Sequence, residues 1–254
     1  MAKISYGLED KAVVITGGSR GIGLELAREL LGQGARVAIC GRRREGLERA
    51  QAELAGGDRL FCLPVHVAKE EEVEKLFHET LGRFGRLDVL INNVGMNLLT
   101  PSLADTQLGV WNKIMEANLT GAFLCSRQAA RIMRPQNAGK ILNISSLAAA
   151  KASPAMGVYG IAKAGLEMLT KVLAAELAPY NIQVNAVAPG VVRTDFSKPF
   201  WSDEALCREI VKSVPAGRIA EIFDVVPLSL FLCCAQSNYI TGQTVKIDGG
   251  ATAI

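Results

Sequence analysis

The sequence predicts an α/β protein built on one doubly wound, Rossmann-type parallel sheet with helices on both faces. Three observations predict it. Short β-branched apolar runs alternate along the chain with segments of helical periodicity. The first such run leads into a glycine-rich turn and then a helix, the context in which glycines cradle a phosphate. The chain has 254 residues, 49% of them apolar, enough for one sizeable core without a linker, repeat or low-complexity tract. The expected organisation is a single dinucleotide-binding domain over 1–254, with a substrate loop or lid at about 191–215.

Residues 11–16 form the first expected strand, followed by Gly17-Gly18-Ser19-Arg20-Gly21-Ile22-Gly23 and a helix through Leu24, Leu26, Ala27, Leu30 and Leu31. Glycine lets a backbone approach a pyrophosphate, and a helix N-terminus offers unpaired N–H groups and the positive end of a dipole. The same glycines also suit a tight turn without a ligand. The second strand, 35–40, ends in Gly41-Arg42-Arg43-Arg44. About 20 residues past the turn an NAD site places a carboxylate on the ribose; here Arg42 stands in that region, with Arg20 in the turn itself. A solvated basic run opening the next helix is the plain alternative, but cations oppose the dipole at a helix start. A 2′-phosphate between Arg20 and Arg42 explains them better, which points to NADP(H).

A third strand is expected over 59–67, an exposed helix over 69–84, and a fourth strand over 87–91 that ends at Asn92-Asn93-Val94-Gly95. That polar end fits a crevice at the carboxyl edge of a parallel sheet, or an ordinary Asx turn. One long helix, 108–133, contains Asn118, which competes for backbone hydrogen bonds in mid-helix. The fifth strand, 140–145, precedes Ser145-Ser146 and a helix over 159–178. In that helix Tyr159 and Lys163 stack one turn apart. An ammonium beside a phenol is expected to pull its pKa down toward the working range, and a serine hydroxyl can hold the oxygen that exchanges the proton. A sixth strand, 183–188, is closed by Pro189-Gly190, a helix spans 224–233 with Pro227 in its first turn, and 243–248 forms the last strand.

Other function classes find little support. The net charge is +3 with basic residues dispersed, which argues against nucleic acid. No run is long and apolar enough for a membrane span. The opening Met1-Ala2-Lys3-Ile4-Ser5 has no apolar leader pattern, so a cytoplasmic location is expected. The six cysteines show neither a CxxC pair nor metal-like spacing and read as reduced, mostly buried thiols; no metal site is expected.

With these motifs in order (Thr16-Gly17-x-x-x-Gly21-Ile22-Gly23, Asn92-Asn93-x-Gly95, Asn118, Ser146, Tyr159-x-x-x-Lys163, Pro189-Gly190) the chain resembles the short-chain dehydrogenase/reductase family over essentially its whole length. The resemblance implies an NADP(H)-dependent oxidoreductase acting between a carbonyl and a secondary alcohol. Tyr159 is then the general acid in reduction and base in oxidation, and Lys163 lowers its pKa and binds the nicotinamide ribose. Ser146, preferred to Ser145 for its distance from the tyrosine, positions the substrate oxygen, and Asn118 anchors a water relaying protons to Lys163. The cofactor contacts implied are the backbone amides of Gly17, Gly21 and Ile22 with Ser19 and Gly23 in the same turn, and Arg20 and Arg42 at the 2′-phosphate. They continue with Asn93 and Gly95 near the adenosine ribose, and with Pro189, Gly190, Val192 and Thr194 toward the carboxamide. His66 and Val67 occupy the adenine position. There the family commonly has an aspartate, so His66 is either structural or an adenine contact.

The resemblance also implies a homotetramer, or a dimer, built on helices at about 108–134 and 157–178 and the last strand. Residues 191–215 carry Phe196, Phe200, Trp201, Leu206 and Ile210 and read as a mobile lid over an apolar substrate or as a satellite cluster. No arginine cluster in the segment announces an acyl-carrier or CoA phosphate, although Lys198 and Arg193 are present, so a medium-sized ketone or secondary alcohol is favoured, with a 3-oxoacyl thioester close behind. Residues 96–101 and 147–156 form the other expected pocket walls. The competing hypotheses are a non-catalytic nucleotide sensor on the same fold, which has no need of Ser146, Tyr159, Lys163 and Asn118 together, and an epimerase or dehydratase, whose substrate part is generally longer.

Overall fold

The computed structural model describes residues 4–153 and 155–253. Met1 to Lys3 of the opening segment, Pro154 of the expected pocket wall and Ile254 lie outside the described residues. Among the described residues seven strands, β1 (Ala12–Thr16), β2 (Arg36–Gly41), β3 (Leu60–Pro64), β4 (Val89–Asn92), β5 (Gly139–Ile144), β6 (Ile182–Pro189) and β7 (Thr244–Ile247), form one sheet in the order β3-β2-β1-β4-β5-β6-β7. Every pairing is parallel, as crossovers through helices require.

Among the described residues the α-helices are α1 (Gly21–Gly32), α2 (Arg44–Leu54), α3 (Glu70–Phe84), α4 (Leu108–Met115), α5 (Gly121–Gln136), α6 (Gly157–Leu177), α7 (Glu204–Lys212) and α8 (Ile222–Cys233). Alternate strand residues sort into two cores. Val13, Ile15, Val37, Ile39 and Ile91 pack with Leu26, Leu30, Leu47 and Leu230 of α1, α2 and α8. Val14, Ala38, Leu90 and Ile141 face Leu76, Leu124, Met133 and Leu177 of α3, α5 and α6. Strands buried on both faces explain why they read as near-continuous apolar runs. Chain order reverses between β1 and β4, paired through Val13–Val89 and Ile15–Ile91. Beyond their carboxyl ends lies the switch-point crevice where such sheets bind ligands.

Two expected elements differ. The third strand is shorter than 59–67, because Gly57–Arg59 forms a 3-10 turn and Pro64 has no N–H to carry the ladder on. The single helix expected over 108–133 is divided: α4 passes into a π-helical turn, Glu116–Thr120, before α5. Asn118, buried at its centre, donates its side-chain amide to the Ile114 carbonyl at 2.8 Å, taking the place of a regular backbone bond. Gly121 just after it lets the helix approach the sheet edge, since an added Cβ would stand 2.5 Å from Val67 Cγ2.

Candidate active site

The glycine turn is shaped by backbone crowding. Gly17 and Gly21 hold φ of 68° and 57°, and a Cβ on Gly23 would lie 2.4 Å from Asn93 Nδ2 and 2.5 Å from the Gly17 carbonyl. Asn93 clamps the turn to β4: its amide donates to the carbonyls of Thr16 at 3.1 Å and Gly17 at 3.0 Å. The Thr16 hydroxyl in return accepts from the N–H groups of Asn93 at 3.0 Å and Val94 at 3.2 Å. Thr16 was visible in the motif but carries no expected role, because its partners lie far away in sequence. The expectation that the Gly17 amide faces a pyrophosphate is corrected, since that N–H donates to the Cys40 carbonyl at 2.8 Å. Among the described residues the N–H groups of Gly21 and Ile22, at the start of α1, have no such partner.

Ser19 links the turn to the end of β2: Cβ atoms added at Gly41 and Gly46 would stand 3.5 and 3.7 Å from its hydroxyl. This contact sets Arg20 and Arg42, both exposed, at one junction. Among the described residues neither makes an ion pair, unlike Arg28, Arg59 or Arg86. Farther out, His66 Nδ1 accepts from the Ala68 N–H at 3.3 Å, and the His66 carbonyl accepts from Lys69 N–H at 2.9 Å, so this side chain works as a turn cap leading into α3. Val67 is buried against Gly121.

The second half of the site lies between β5 and α6. Tyr159 and Lys163 are 5% and 2% exposed and share one face of α6. Lys163 Nζ donates to the Ile144 carbonyl at 2.8 Å and stands 5.6 Å from the Tyr159 ring centroid. Burial pulls Lys163 down to about 8. It pushes the Tyr159 phenol up to about 12, with the adjacent Ser146 side chain drawing it back. The shift therefore runs opposite to the lowering expected from the lysine: desolvation of the buried phenol is the larger influence and the Ser146 hydrogen bond the opposing one. Ser145 and Ser146 part company here. The Ser145 hydroxyl donates to Glu167 Oε1 at 2.9 Å, whereas Ser146, half-buried and accepting from Ala148 N–H at 3.2 Å, faces Tyr159.

Asn118 binds Met96 on both sides, donating to its carbonyl at 2.7 Å and accepting from its N–H at 3.2 Å. With Ile114 also held, both amide hydrogens are committed to the protein, so a water contact falls to other atoms of this residue. Gly95 lines the same space: an added Cβ would be 3.6 Å from Asn118 Oδ1, 3.9 Å from Lys163 Nζ and 4.0 Å from Phe196. Around Tyr159 pack Ile114, Val158 and Ala162 with Met96, Trp111 and Met156.

Residues 191–215 cover this centre. Asp195–Phe200 forms a 3-10 turn capped reciprocally by Thr194 and Ser197, and α7 follows. The Phe196 ring lies 6.0 Å from that of Tyr159, and Thr194 reaches across to Gly21, whose added Cβ would stand 3.7 Å from it. Val192 is buried and bridges to Ala220, while Pro189 and Gly190 pair with Ile247 at the end of the sheet. A cavity of about 230 Å³ opens beside them, lined by Leu147, Val191, Ile210, Val214, Ile219 and Ile247 among others. It does not include Tyr159, but begins one residue beyond Ser146 and continues to Ile210, Ser213 and Val214.

Unpaired helix-start amides, a backbone cradle that a Cβ would fill and a crevice at the switch point fit a nicotinamide dinucleotide. A buried tyrosine, lysine and serine at the same sheet edge define a class of oxidoreductase. The chain belongs to the short-chain dehydrogenase/reductase family: the family profile described as enoyl-(acyl carrier protein) reductase matches residues 17–252. It is similar to dehydrogenase/reductase SDR family member 4 of Sus scrofa, 35% identical over 247 residues that cover 97% of this chain and 88% of that protein. A short-chain type dehydrogenase/reductase from Mycobacterium marinum superposes with a TM-score of 0.91 at 32% identity, covering 97% of each chain. The structure described as ElxO with NADP bound does so with a TM-score of 0.90 at 34% identity, covering 96% of this chain and 99% of that one. The protein is thus an oxidoreductase of CH–OH and C=O groups in a family that uses a nicotinamide cofactor and small-molecule substrates. That assignment leaves the sensor and epimerase readings without support.

Proposed function

We propose that this protein is an NADP(H)-dependent carbonyl reductase or alcohol dehydrogenase for a medium-sized, largely apolar ketone or secondary alcohol, with a 3-oxoacyl thioester as the second substrate class. The observation that carries the reading is the burial of Tyr159 and Lys163 on one helix face beside Ser146. The nicotinamide supplies or accepts the hydride. Tyr159 gives its proton to the substrate oxygen in reduction and takes it back in oxidation. A phenol near 12 holds that proton at neutral pH, and the Ser146 hydrogen bond draws it back toward the working range in which proton transfer is efficient. Ser146 holds the same oxygen. Lys163 has one N–H committed to Ile144, leaving others for the nicotinamide ribose. Asn118 keeps Met96 and Gly95 in place and offers a water its remaining acceptor capacity.

For the cofactor, Gly21 and Ile22 bind the pyrophosphate within the cradle of Gly17, Ser19 and Gly23. Asn93 and Gly95 border the adenosine ribose, and His66 and Val67 the adenine. Pro189, Gly190, Val192 and Thr194 approach the carboxamide. Arg20 and Arg42 take the 2′-phosphate; their lack of an ion-pair partner among the described residues and a relative bound to NADP support this preference. The mainly apolar wall of the cavity, which Lys151, Arg218, Asp224 and Asp248 also line, and the Phe196 contact support a largely apolar substrate under a lid at 191–215, in one domain spanning 1–254.

The same reading includes a homotetramer or dimer, supported by the apolar residues Phe123, Ile161, Met168 and Val172 exposed on α5 and α6, and light scattering tests it. A cytoplasmic location is supported by six free cysteines, and fractionation of the source cells tests it. Tyr159→Phe is expected to lower turnover by about 10³-fold, within the range of acid–base catalysis, with NADPH binding by nicotinamide fluorescence preserved. Unchanged turnover overturns the mechanism. Arg42→Ala is expected to weaken NADPH about tenfold or more, the scale of one charge-assisted hydrogen bond, and NADH hardly at all. Equal losses for both cofactors refute the 2′-phosphate assignment.

A further inference from the structure

The end of β5 and the face of α6 are joined by a ladder of contacts between consecutive strand residues and helix residues at helical spacing. Asn143 Nδ2 donates to Thr170 Oγ1 at 2.8 Å, and Lys163 Nζ donates to the Ile144 carbonyl at 2.8 Å. The Ser145 hydroxyl donates to Glu167 Oε1 at 2.9 Å, and Ser146 lies beside Tyr159. Three of the helix residues, Tyr159, Lys163 and Thr170, are buried, and Glu167 is half-buried among them. Tyr159, Lys163 and Glu167 follow one another at single-turn intervals on that face.

We propose that Glu167 is a positioning residue for the reaction, acting through Ser145 to fix the aim of Ser146. The inference rests on the role proposed above for Ser146 at the substrate oxygen. Its physical basis is the strand's alternation. Successive side chains of an extended chain point to opposite sides, and Ser146 is extended, with φ −162° and ψ 154°. Holding the Ser145 hydroxyl on Glu167 therefore decides which way the next hydroxyl points. The Ser145 N–H on the Val187 carbonyl at 2.7 Å ties this residue to β6 on one side and its hydroxyl on Glu167 ties it to α6 on the other, so the two bonds together hold the rotation of the strand end that carries Ser146. Ser145 is only 3% exposed, and among the described residues Glu167 is its hydroxyl's hydrogen-bond partner. Without that acceptor a buried donor is left unpaired, and the strand end gains a reason to rotate.

The test compares Glu167→Leu, Glu167→Gln and Ser145→Ala in the full chain, alongside Tyr159→Phe. Glu167→Leu is expected to lower kcat about tenfold, the scale of one hydrogen bond at the reacting centre, while KM and NADPH binding stay near wild type. In the oxidation direction its pH–rate profile should move to higher pH, because a displaced Ser146 no longer draws the Tyr159 phenol down. Glu167→Gln keeps an acceptor oxygen and is expected to restore both the rate and the profile. If Glu167→Leu fails to fold, Ser145→Ala removes the donor without stranding it and should show the same displaced profile. Wild-type kcat and pH profile in Glu167→Leu or Ser145→Ala, or a loss that Glu167→Gln shares in full, overturns the inference. Turnover retained in Tyr159→Phe instead overturns the mechanism beneath it, so the two failures are told apart.

Discussion

Strand β5 has a buried lysine at each end. Lys140 sits near its start, 8% exposed, with Nζ 3.3 Å from Ser237 Oγ, and burial lowers it to about 8 against the opposing influence of Cys233 and Cys234. Lys163 reaches the strand's last carbonyl from α6, 2% exposed, and burial lowers it to about 8 as well. By titration the two are near twins; by surroundings they are not. Around Lys163 stand a buried phenol, Ser146, the Gly95 backbone and the crevice at the carboxyl edge of the sheet. Around Lys140 stand a serine hydroxyl and two thiols, of which Cys233 is itself pushed up to about 12 by burial and held in its inert form. A displaced pKa therefore records desolvation at both ends, and only the convergence of other groups at one end turns it into chemistry.

The largest expected effect that separates the pair is on turnover. Lys163→Met should reduce it by about 10³-fold, as loss of a partner in proton transfer does, and Lys140→Met should leave it within about twofold. Steady-state rates for both variants decide the matter, and a comparable loss in Lys140→Met breaks the contrast. The smaller effect is on stability. In the unfolded chain a lysine titrates at its ordinary 10.5, and Lys140 in the fold at about 8. Between those values the unfolded state binds more protons, so this group's contribution rises with pH and is least favourable below about 8. Lys140→Met should thus gain most over wild type near pH 7, with the gain shrinking toward pH 10. Denaturant midpoints across that interval check the sign, and a pH-independent difference sinks it.

What could be read in advance follows the range of the forces involved. The strands announced themselves because both faces are buried, and the glycine turn because φ at Gly17 and Gly21 and crowding at Gly23 are local demands. The Tyr159–Lys163 spacing is likewise a property of one helix. The π turn at Glu116–Thr120 was not legible, since the Asn118 at its centre is held by Met96, outside the helix, as well as by Ile114. Nor was the loss of the Gly17 amide to Cys40, which depends on the neighbouring strand. The tyrosine's pKa went the other way from expectation because sequence spacing counts the charged neighbour but not the water removed.

By itself, then, the sequence determined the alternating elements, the sheet's class and the set of side chains available for proton transfer, because periodicity, turn chemistry and helical spacing act over a few residues. Ser146, preferred in advance, does face Tyr159, but the tertiary structure alone decided that Glu167 holds Ser145. It also decided that Asn93 and Thr16 lock the cradle, and that two lysines share a titration but not a role. Those outcomes depend on hydrogen bonds between distant residues and on the exclusion of water, and both exist only once the chain has closed around them.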